Sequence, residues 1–177
     1  FVSTYKNNFP SGNQKFTVGA WYYRIGIPGF PIGDYRQYLI SYGLGTSEGK
    51  MFGIGFNGYP QNMFFTFGGS SYDVISTTEM TFFKWQHLVA VHNGDGLVDL
   101  YLNGELIHSA NVPTPDIQEV PDAYIASLGG TENFWAQKID DVALWNNALA
   151  PREINTLYNG GYPVNAKINF GNYTSSS

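Results

Sequence analysis

The acidic side chains are the residues of this chain that could hydrolyse a glycosidic bond, and their spacing does not favour it. Retaining glycoside hydrolysis needs two carboxyl groups about 5 Å apart. The 14 Asp and Glu residues are scattered, and the closest pair on one predicted strand is Asp140 and Asp141. Adjacent residues of a strand point to opposite faces of the sheet, so these two carboxyls are not expected to act on one bond together.

Histidine and cysteine chemistry is not favoured either. The chain has 3 His and no Cys, which excludes a thiol nucleophile, a thiolate metal site and a disulfide framework. His87 lies within a predicted strand, His92 at a hairpin mouth and His108 at a strand end. None has a second His or a carboxylate at ligand spacing, so the sequence does not support a zinc site.

Aromatic residues in loops are the candidates for binding a sugar, because an exposed ring can stack on a pyranose while planar polar groups bind its hydroxyls. Aromatic residues make up 17% of the chain. Those in predicted loops are Phe30, Tyr35, Tyr59, Tyr72 and Trp135, and Asn133 is the polar candidate beside Trp135. The alternative is ordinary packing, in which Trp135 plugs the end of the fold. The other tryptophans lie in predicted strands and are assigned to the core: Trp21, Trp85 and Trp145.

The element that positions these residues most clearly is the stretch 85–107. Two sets of residues alternate within each run, which is the period of pleated strands. From Trp85 to His92 they are Leu88, Ala90 and His92 against His87, Val89 and Val91, and from Leu97 to Leu102 they are Val98, Leu100 and Leu102 against Leu97, Asp99 and Tyr101. Asn93-Gly94 and Asn103-Gly104 separate the runs. Asn-Gly supplies the two positive-φ residues of a type I′ turn, so both turns are predicted to join antiparallel strands.

The rest of the chain also predicts strands. Residues 16–25 have two apolar faces and predict a central strand. Further strands are predicted at residues 1–5, 38–44, 51–57, 62–69, 123–129 and 136–145, with one more short strand between 70 and 84. Prolines make 26–37 and 109–122 loops. Residues 151–158 predict the one helix, because Pro151 suits its first position and Glu153 its first turn.

Charge and hydropathy narrow the possible partners. Net charge −5 and a pI near 5.0 argue against binding a nucleic-acid backbone. No apolar run approaches the roughly 20 residues of a membrane span, and no signal peptide is evident. The start at Phe1 is abrupt, which suggests a piece of a longer protein.

Four motifs together resemble a known family. They are FTVGAW from Phe16, WQHLVAVHNGDGLVDLYLNGELI from Trp85, YIASLGG from Tyr124 and IDDVALWNNALAPREINTLY from Ile139. Their order and spacing resemble the laminin G-like, pentraxin-like branch of the concanavalin A-like lectin/glucanase superfamily. The resemblance implies an all-β, two-sheet antiparallel jelly-roll sandwich with one short C-terminal helix. A laminin G-like domain is expected over 1–161, with a tail or linker over 162–177.

The resemblance also bears on activity and on metals. The E-x-D-x-x-E motif of the superfamily's glucanases and the R-x-E and Q-I-H signatures of alginate lyases do not occur. No enzyme is therefore expected, and a glycosidase or polysaccharide lyase is kept only as the remaining alternative. Relatives often bind calcium, a cation that takes six to eight oxygen ligands. Asp140 matches the position whose side chain serves there with backbone carbonyls from the chain's beginning and an early loop. Asp141 and Asp122 are the other metal candidates, and His87 is expected to be packed and hydrogen-bonded.

The function expected from the sequence is a binding module. The first interpretation is a carbohydrate-binding or adhesion domain of a larger secreted or surface protein, with a glycan or surface protein as partner and calcium as a possible cofactor. The alternative is a structural decoration or fibre-type domain that self-assembles in a virion or surface layer. Both place the chain outside the cell, on a cell surface or on a virion surface.

Overall fold

A computed structural model describes residues 9–26, 35–45, 47–58 and 61–158. They form two five-stranded antiparallel sheets packed face to face, which confirms the predicted sandwich. In chain order the strands are β1 (Phe16–Tyr23), β2 (Gln37–Gly43), β3 (Met51–Phe56), β4 (Asn62–Thr66), β5 (Asp73–Glu79), β6 (Trp85–His92), β7 (Leu97–Leu102), β8 (Glu105–Asn111), β9 (Ala123–Ile125) and β10 (Lys138–Trp145), and helix α1 (Pro151–Tyr158) follows. The strand predicted at 1–5 and the tail at 162–177 lie outside the described residues.

The order of strands explains which of them are buried on both faces. One sheet has the order β10-β1-β6-β7-β8 and the other β5-β4-β3-β2-β9. β1 pairs with β6 along its whole length and with β10 on its other side. All but the last of its residues are buried, so the prediction of a central strand is confirmed.

The core between the sheets is built of alternate residues from both. Phe16 of β1 lies with its ring centroid 4.7 Å from that of Phe52 in the facing sheet, and the ring of Tyr22 lies 4.7 Å from that of Phe56. Trp21 lies on the other face of β1, where it is also buried. Trp85 and Trp145 are only half-buried, so their assignment to the core holds in part.

The outward face of the second sheet, which consists of β5, β4, β3, β2 and β9, carries a packed layer of side chains. Tyr38, Met51, Phe64 and Leu128 form a separate buried cluster on it. Gly53 makes room for the Tyr38 ring, since a Cβ there would lie 2.5 Å from Tyr38 Cε1. The guanidinium of Arg36 lies 4.8 Å from the centre of the Phe64 ring. This face therefore offers no exposed aromatic platform at Phe64 or Tyr38.

The two Asn-Gly turns differ. Asn103 and Gly104 have φ values of 53° and 83°, which confirms the type I′ turn between β7 and β8. Between β6 and β7 the positive φ values fall on Gly94 and Gly96, and Asn93 is not among the positive-φ residues. The Asn93 N–H donates to Leu97 O at 3.0 Å. The hairpin is confirmed there, but the predicted type I′ turn is wrong because Gly96 offers a second glycine and allows a longer loop.

Two strands differ from the sequence prediction. β9 ends at Ile125, since Ala126 has a φ of 62° that breaks the extended backbone. In β10 the pairing with β1 skips one residue near Asp141, whose φ is 44°. This β-bulge shifts the alternation, so Ile139, Val142 and Leu144 pack together against the core. The prediction that Asp140 and Asp141 point to opposite faces of the sheet assumed an unbroken alternation. The bulge removes that assumption.

Helix α1 spans 151–158 as predicted. Its start is fixed by Glu153, whose Oε2 accepts a hydrogen bond from the Ala150 N–H at 2.8 Å. Ile154 is buried against the outward face of the first sheet, where it packs with Val89, Val91 and Tyr101. The helix therefore covers a part of this sheet that would otherwise expose apolar side chains.

Candidate functional site

One end of the sandwich collects three of the four predicted sugar-binding residues that the structure describes. β1 ends beside the starts of β6 and β10, since Tyr23 pairs with both Trp85 and Lys138. In the other sheet, β2 begins beside the end of β3. We call this end, with the described residues 24–26, 35–36, 57–58, 80–84 and 133–137, the aromatic end.

Trp135 lies at the aromatic end but faces inward. Its side chain is 3% exposed, and its ring centroid lies 5.0 Å from that of Phe56 and 6.0 Å from that of Tyr22. The indole N–H donates to Lys138 O at 3.2 Å. Trp135 therefore plugs the end of the sandwich, and a ring buried in this way offers no face to a sugar. The apolar core below it recruits the ring, which corrects its choice as a sugar-stacking residue.

Three other rings at this end are exposed. Tyr35 is 73% exposed, and Phe83 and Phe134 are each 56% exposed. Tyr35 was among the sequence candidates, whereas Phe134 and Phe83 were not. The signal for Phe134 was its position beside Trp135, because one of two adjacent aromatic residues in a loop can face the core while the other faces solvent. Tyr59 and Phe30 lie outside the described residues.

Planar polar groups lie next to Phe134. The Tyr38 N–H donates to Asn133 O at 3.1 Å, and Gln37 Nε2 donates to Phe134 O at 3.2 Å. Asn133 adopts a φ of 54°, a conformation that Asn tolerates better than most residues. These contacts hold Asn133 and Phe134 against the start of β2, close to the backbone that follows Tyr35.

Arg36 precedes β2 at the aromatic end, and its guanidinium lies over Phe64 on the outward face of the second sheet. Its guanidinium forms a two-pronged ion pair with the carboxylate of Asp73, and its Nε donates to Asn57 Oδ1 at 3.0 Å. The hydrogen bond to Asp73 is the largest cause of the raised pKa of Arg36. Sequence reasoning missed this group, because the pairing joins β5 to the segment before β2 across two intervening strands.

Tyr72 lies at the opposite end of the sandwich. It is half-buried, and its hydroxyl lies 2.9 Å from the position that a Cβ of Gly49 would take. Its ring centroid lies 6.5 Å from that of Phe67. The structure therefore does not bring Tyr72 together with Tyr35 and Asn133.

The metal candidates are also divided between the two ends. Asp140 is exposed and lies near the aromatic end, opposite Trp21, and its Oδ1 accepts a hydrogen bond from the Asp141 N–H at 2.9 Å. Asp122 precedes Ala123, which pairs with Tyr42 towards the other end. Among the described residues no three His, Cys, Asp or Glu side chains converge in a way that could hold a metal ion. These residues alone do not complete the six to eight oxygen ligands of calcium.

Two of the three histidines, His87 and His92, are buried inside the fold. His87 is 3% exposed and stacks on Trp21, with the ring centroids 5.0 Å apart, and burial lowers its pKa to about 4. Its Nδ1 has no hydrogen-bond partner, so His87 is packed as expected but its imidazole is not hydrogen-bonded at that atom. His92 is buried beside Phe67, and its Nδ1 lies 3.1 Å from Gln14 O. Neither imidazole is placed to act on a bound molecule.

Two grooves open on the side of the sandwich where β9 and β10 are the edge strands. One, of about 130 Å³, is apolar and is lined by Phe9, Ile40, Ala123, Ile125, Val142, Ala143 and Leu144. The other, of about 170 Å³, is lined by Tyr42, Glu119, Val120 and Pro121. Neither contains a residue of the aromatic end. The apolar groove lacks the polar side chains that fix the orientation of a sugar.

Residues 1–155 match the model of the Laminin_G_3 family of the concanavalin A-like lectin/glucanases superfamily. The chain belongs to this family. The match covers all ten strands and the start of α1, and it confirms the resemblance carried by the four sequence motifs. No curated protein matches the chain.

Solved structures of low sequence identity share the fold. The CBM40 of the Ruminococcus gnavus IT-sialidase, bound to α2,3 sialyllactose, has a TM-score of 0.63 at 14% identity and is covered over 83% of its length by 82% of this chain. Domain 4 of the extracellular GH43 arabinanase AbnA from Geobacillus stearothermophilus, in complex with arabinotriose, has a TM-score of 0.55 at 18% identity, with 84% of this chain and 68% of that domain covered. A heptameric SAP-like pentraxin from Limulus polyphemus has a TM-score of 0.57 at 18% identity, with 89% of this chain and 79% of the pentraxin chain covered.

These likenesses establish the fold of the Laminin_G_3 domain. Within the described ranges, no helix has the length and apolar character needed to cross a membrane.

Proposed function

We propose that this Laminin_G_3 domain is a non-catalytic carbohydrate-binding module of a larger secreted or surface protein. The family and the fold support a binding role, and two of the structural neighbours were solved with a saccharide bound. Glucanases of the superfamily carry a carboxylate motif that is missing here. A glycan is therefore the proposed partner, and the outside of the cell is the proposed location.

The observation that carries the proposal is the exposed ring of Phe134 between planar polar neighbours. Asn133 precedes it, and the Gln37 amide donates to its carbonyl oxygen. Tyr35, the most exposed large apolar residue among those described, comes two residues before Gln37. Stacking on a flat ring combined with amide hydrogen bonds is the chemistry that recognises a pyranose. The proposed binding residues are Phe134, Tyr35, Asn133 and Gln37.

A glycan array followed by calorimetric titration tests this function. Tyr35→Ala and Phe134→Ala are each expected to weaken binding of an array hit about tenfold or more, since each removes a stacking surface. Leu106→Ala is the matched control, because Leu106 on β8 is exposed to a similar extent, at 55%, but lies in the other sheet. An empty array together with self-association of the chain would instead support the structural, assembly-building function.

Calcium at Asp140 remains part of the proposal. The carboxylate is exposed, and only its Oδ1 receives a hydrogen bond among the described contacts. Thermal unfolding in excess calcium and in EDTA tests it, because a ligand that binds only the native state raises the midpoint. A rise that is lost in Asp140→Ala and kept in Asp122→Ala is expected. Equal midpoints in calcium and EDTA would remove calcium from the proposal.

A further inference from the structure

Arg24 is a buried cation that has no carboxylate partner among the residues that the structure describes. It follows the last residue of β1, at the aromatic end, and is 2% exposed. Nη1 donates to the Sδ of Met80 at 3.1 Å, a weak acceptor, and the buried Nε has no hydrogen-bond partner. A guanidinium has five donor hydrogens, so most of its capacity is not used by these contacts.

No carboxylate offsets this charge within the described part of the chain. The two ion pairs found there join Arg36 to Asp73 and Lys50 to Asp116. Two aromatic rings offset part of the charge through cation–π contacts. The guanidinium carbon lies 5.0 Å from the ring centre of Phe82 and 5.9 Å from that of Trp135. Desolvation lowers the pKa of Arg24. Burial of an unpaired charge is costly, so folding alone gives no reason for an arginine here.

The segment above the guanidinium is held in an unfavourable conformation. Phe83 has a φ of 60°, which is rare for a bulky side chain. Its N–H donates to Arg24 O at 2.9 Å, while its own ring is largely exposed. Phe82, the residue before it, covers the guanidinium and also lies against Gly26. Backbone strain beside an unpaired buried cation indicates a site adapted to a ligand rather than to stability.

We propose that Arg24 binds the carboxylate of an acidic saccharide, such as a uronic or sialic acid, with Nε as a donor and with the 80–84 segment shifting to admit the ligand. A planar guanidinium fork matches a carboxylate with two parallel hydrogen bonds. The ring of Trp135, the residue after the exposed Phe134, lies 5.9 Å from the guanidinium carbon, so the cation and the proposed stacking ring lie at the same end of the sandwich. This inference rests on the proposed carbohydrate-binding function and names its ligand class.

Calorimetric titration with charged and neutral forms of the same sugars tests the inference. The probes are α2,3-sialyllactose against lactose, and trigalacturonate against its methyl ester. At least one acidic form is expected to bind about 10- to 100-fold more tightly than its neutral form, the range for hydrogen bonds to a charged group. Arg24→Met is expected to remove that preference. Arg152→Met, which removes an exposed arginine of α1, is the control and is expected to retain it.

Thermal unfolding of Arg24→Met separates binding from folding. The variant replaces an uncompensated charge by an apolar side chain, so its midpoint is expected to equal or exceed that of the wild type. Arg24→Lys keeps the charge without the planar fork and is expected to lose most of the preference. If neutral sugars bind as well as acidic ones, or if Arg24→Met keeps the preference, Arg24 is no ligand group and the carbohydrate-binding function still stands. If none of these probes binds and the glycan array is also empty, both proposals fail.

Discussion

The rings of His87 and Trp21 stack on the outward face of the first sheet, with centroids 5.0 Å apart and an angle of 24° between their planes. Tyr158, the last residue of α1, stacks on Trp21 as well, at 5.6 Å and 20°. Trp21 therefore contacts His87 of the sheet and Tyr158 of the helix, and these contacts join α1 to the sheet. Because His87 is buried and its Nδ1 has no partner, this arrangement requires a neutral imidazole.

Stability is expected to fall below neutral pH because of His87. Burial lowers the pKa of His87 from 6.5 to about 4 in the native state. Between these values the unfolded chain binds a proton that the native protein does not, so the free energy of unfolding decreases as pH falls from about 6.5 to about 4. The full loss amounts to about 3 kcal/mol. Urea unfolding at a series of pH values between 4 and 8 measures it.

The variant His87→Phe separates the contribution of His87 to the pH dependence of stability from the contributions of other titrating groups. Phenylalanine keeps a flat ring against Trp21 but does not titrate, so a shallower decline is expected over the same pH range. The remaining slope includes His92, whose pKa burial also lowers. A decline as steep in the variant as in the wild type would show that His87 does not control acid stability.

Trp135 is expected to matter for stability rather than for direct sugar contact. Its ring packs against Phe56 and Tyr22 in the core, so Trp135→Ala leaves a cavity and is expected to cost about 3–5 kcal/mol. Tyr35→Ala removes an exposed ring and is expected to change stability by less than about 0.5 kcal/mol. Chemical denaturation of the two variants provides the comparison. A Trp135→Ala protein as stable as the wild type would contradict the burial of this ring.

The sandwich was largely predictable from the sequence because its signals are local. Period-2 alternation identified β6 and β7, and the Asn-Gly pair at 103–104 fixed the turn that follows. The predicted strands differ from the structure where a residue other than Gly or Pro breaks the extended backbone. Ala126 ends β9 early, and the bulge at Asp141 shifts the alternation in β10.

The candidate site was predictable only in outline. The sequence identified the loop before β10 and its aromatic pair, but which ring of the pair faces solvent depends on the space left below by Tyr22 and Phe56. Arg24 lies within the stretch 16–25, for which the sequence predicts only a central strand with two apolar faces. Its lack of a carboxylate partner depends on which loops meet at the aromatic end, and that is a property of the tertiary fold.

The ion pair between Arg36 and Asp73 is expected to contribute more to stability than the one between Lys50 and Asp116. The side chain of Asp73 is 9% exposed, whereas that of Asp116 is 61% exposed. Asp73→Asn leaves the guanidinium above Phe64 without its charged partner and is expected to cost about 2–3 kcal/mol. Asp116→Asn, the matched control, is expected to cost less than about 1 kcal/mol. Equal losses in urea unfolding would show that burial gives the Asp73 pair no advantage.

Gly104 is expected to tolerate substitution less well than Gly94, although both have a φ of 83°. A Cβ at Gly104 would meet Asn155 Cα at 3.2 Å and Tyr158 Cβ at 3.3 Å, while at Gly94 the nearest atoms lie at 3.5 Å. Alanine at either position bears the cost of positive φ, about 1–2 kcal/mol. Gly104→Ala also presses on α1, so urea unfolding is expected to show a loss greater by about 1 kcal/mol than for Gly94→Ala. The nearest atom to a Cβ at Gly104 is Asn155 Nδ2, at 3.1 Å, so removing it in Gly104→Ala/Asn155→Ala is expected to make the two substitutions less than additive. Strict additivity would show that the strain at Gly104 is confined to its turn.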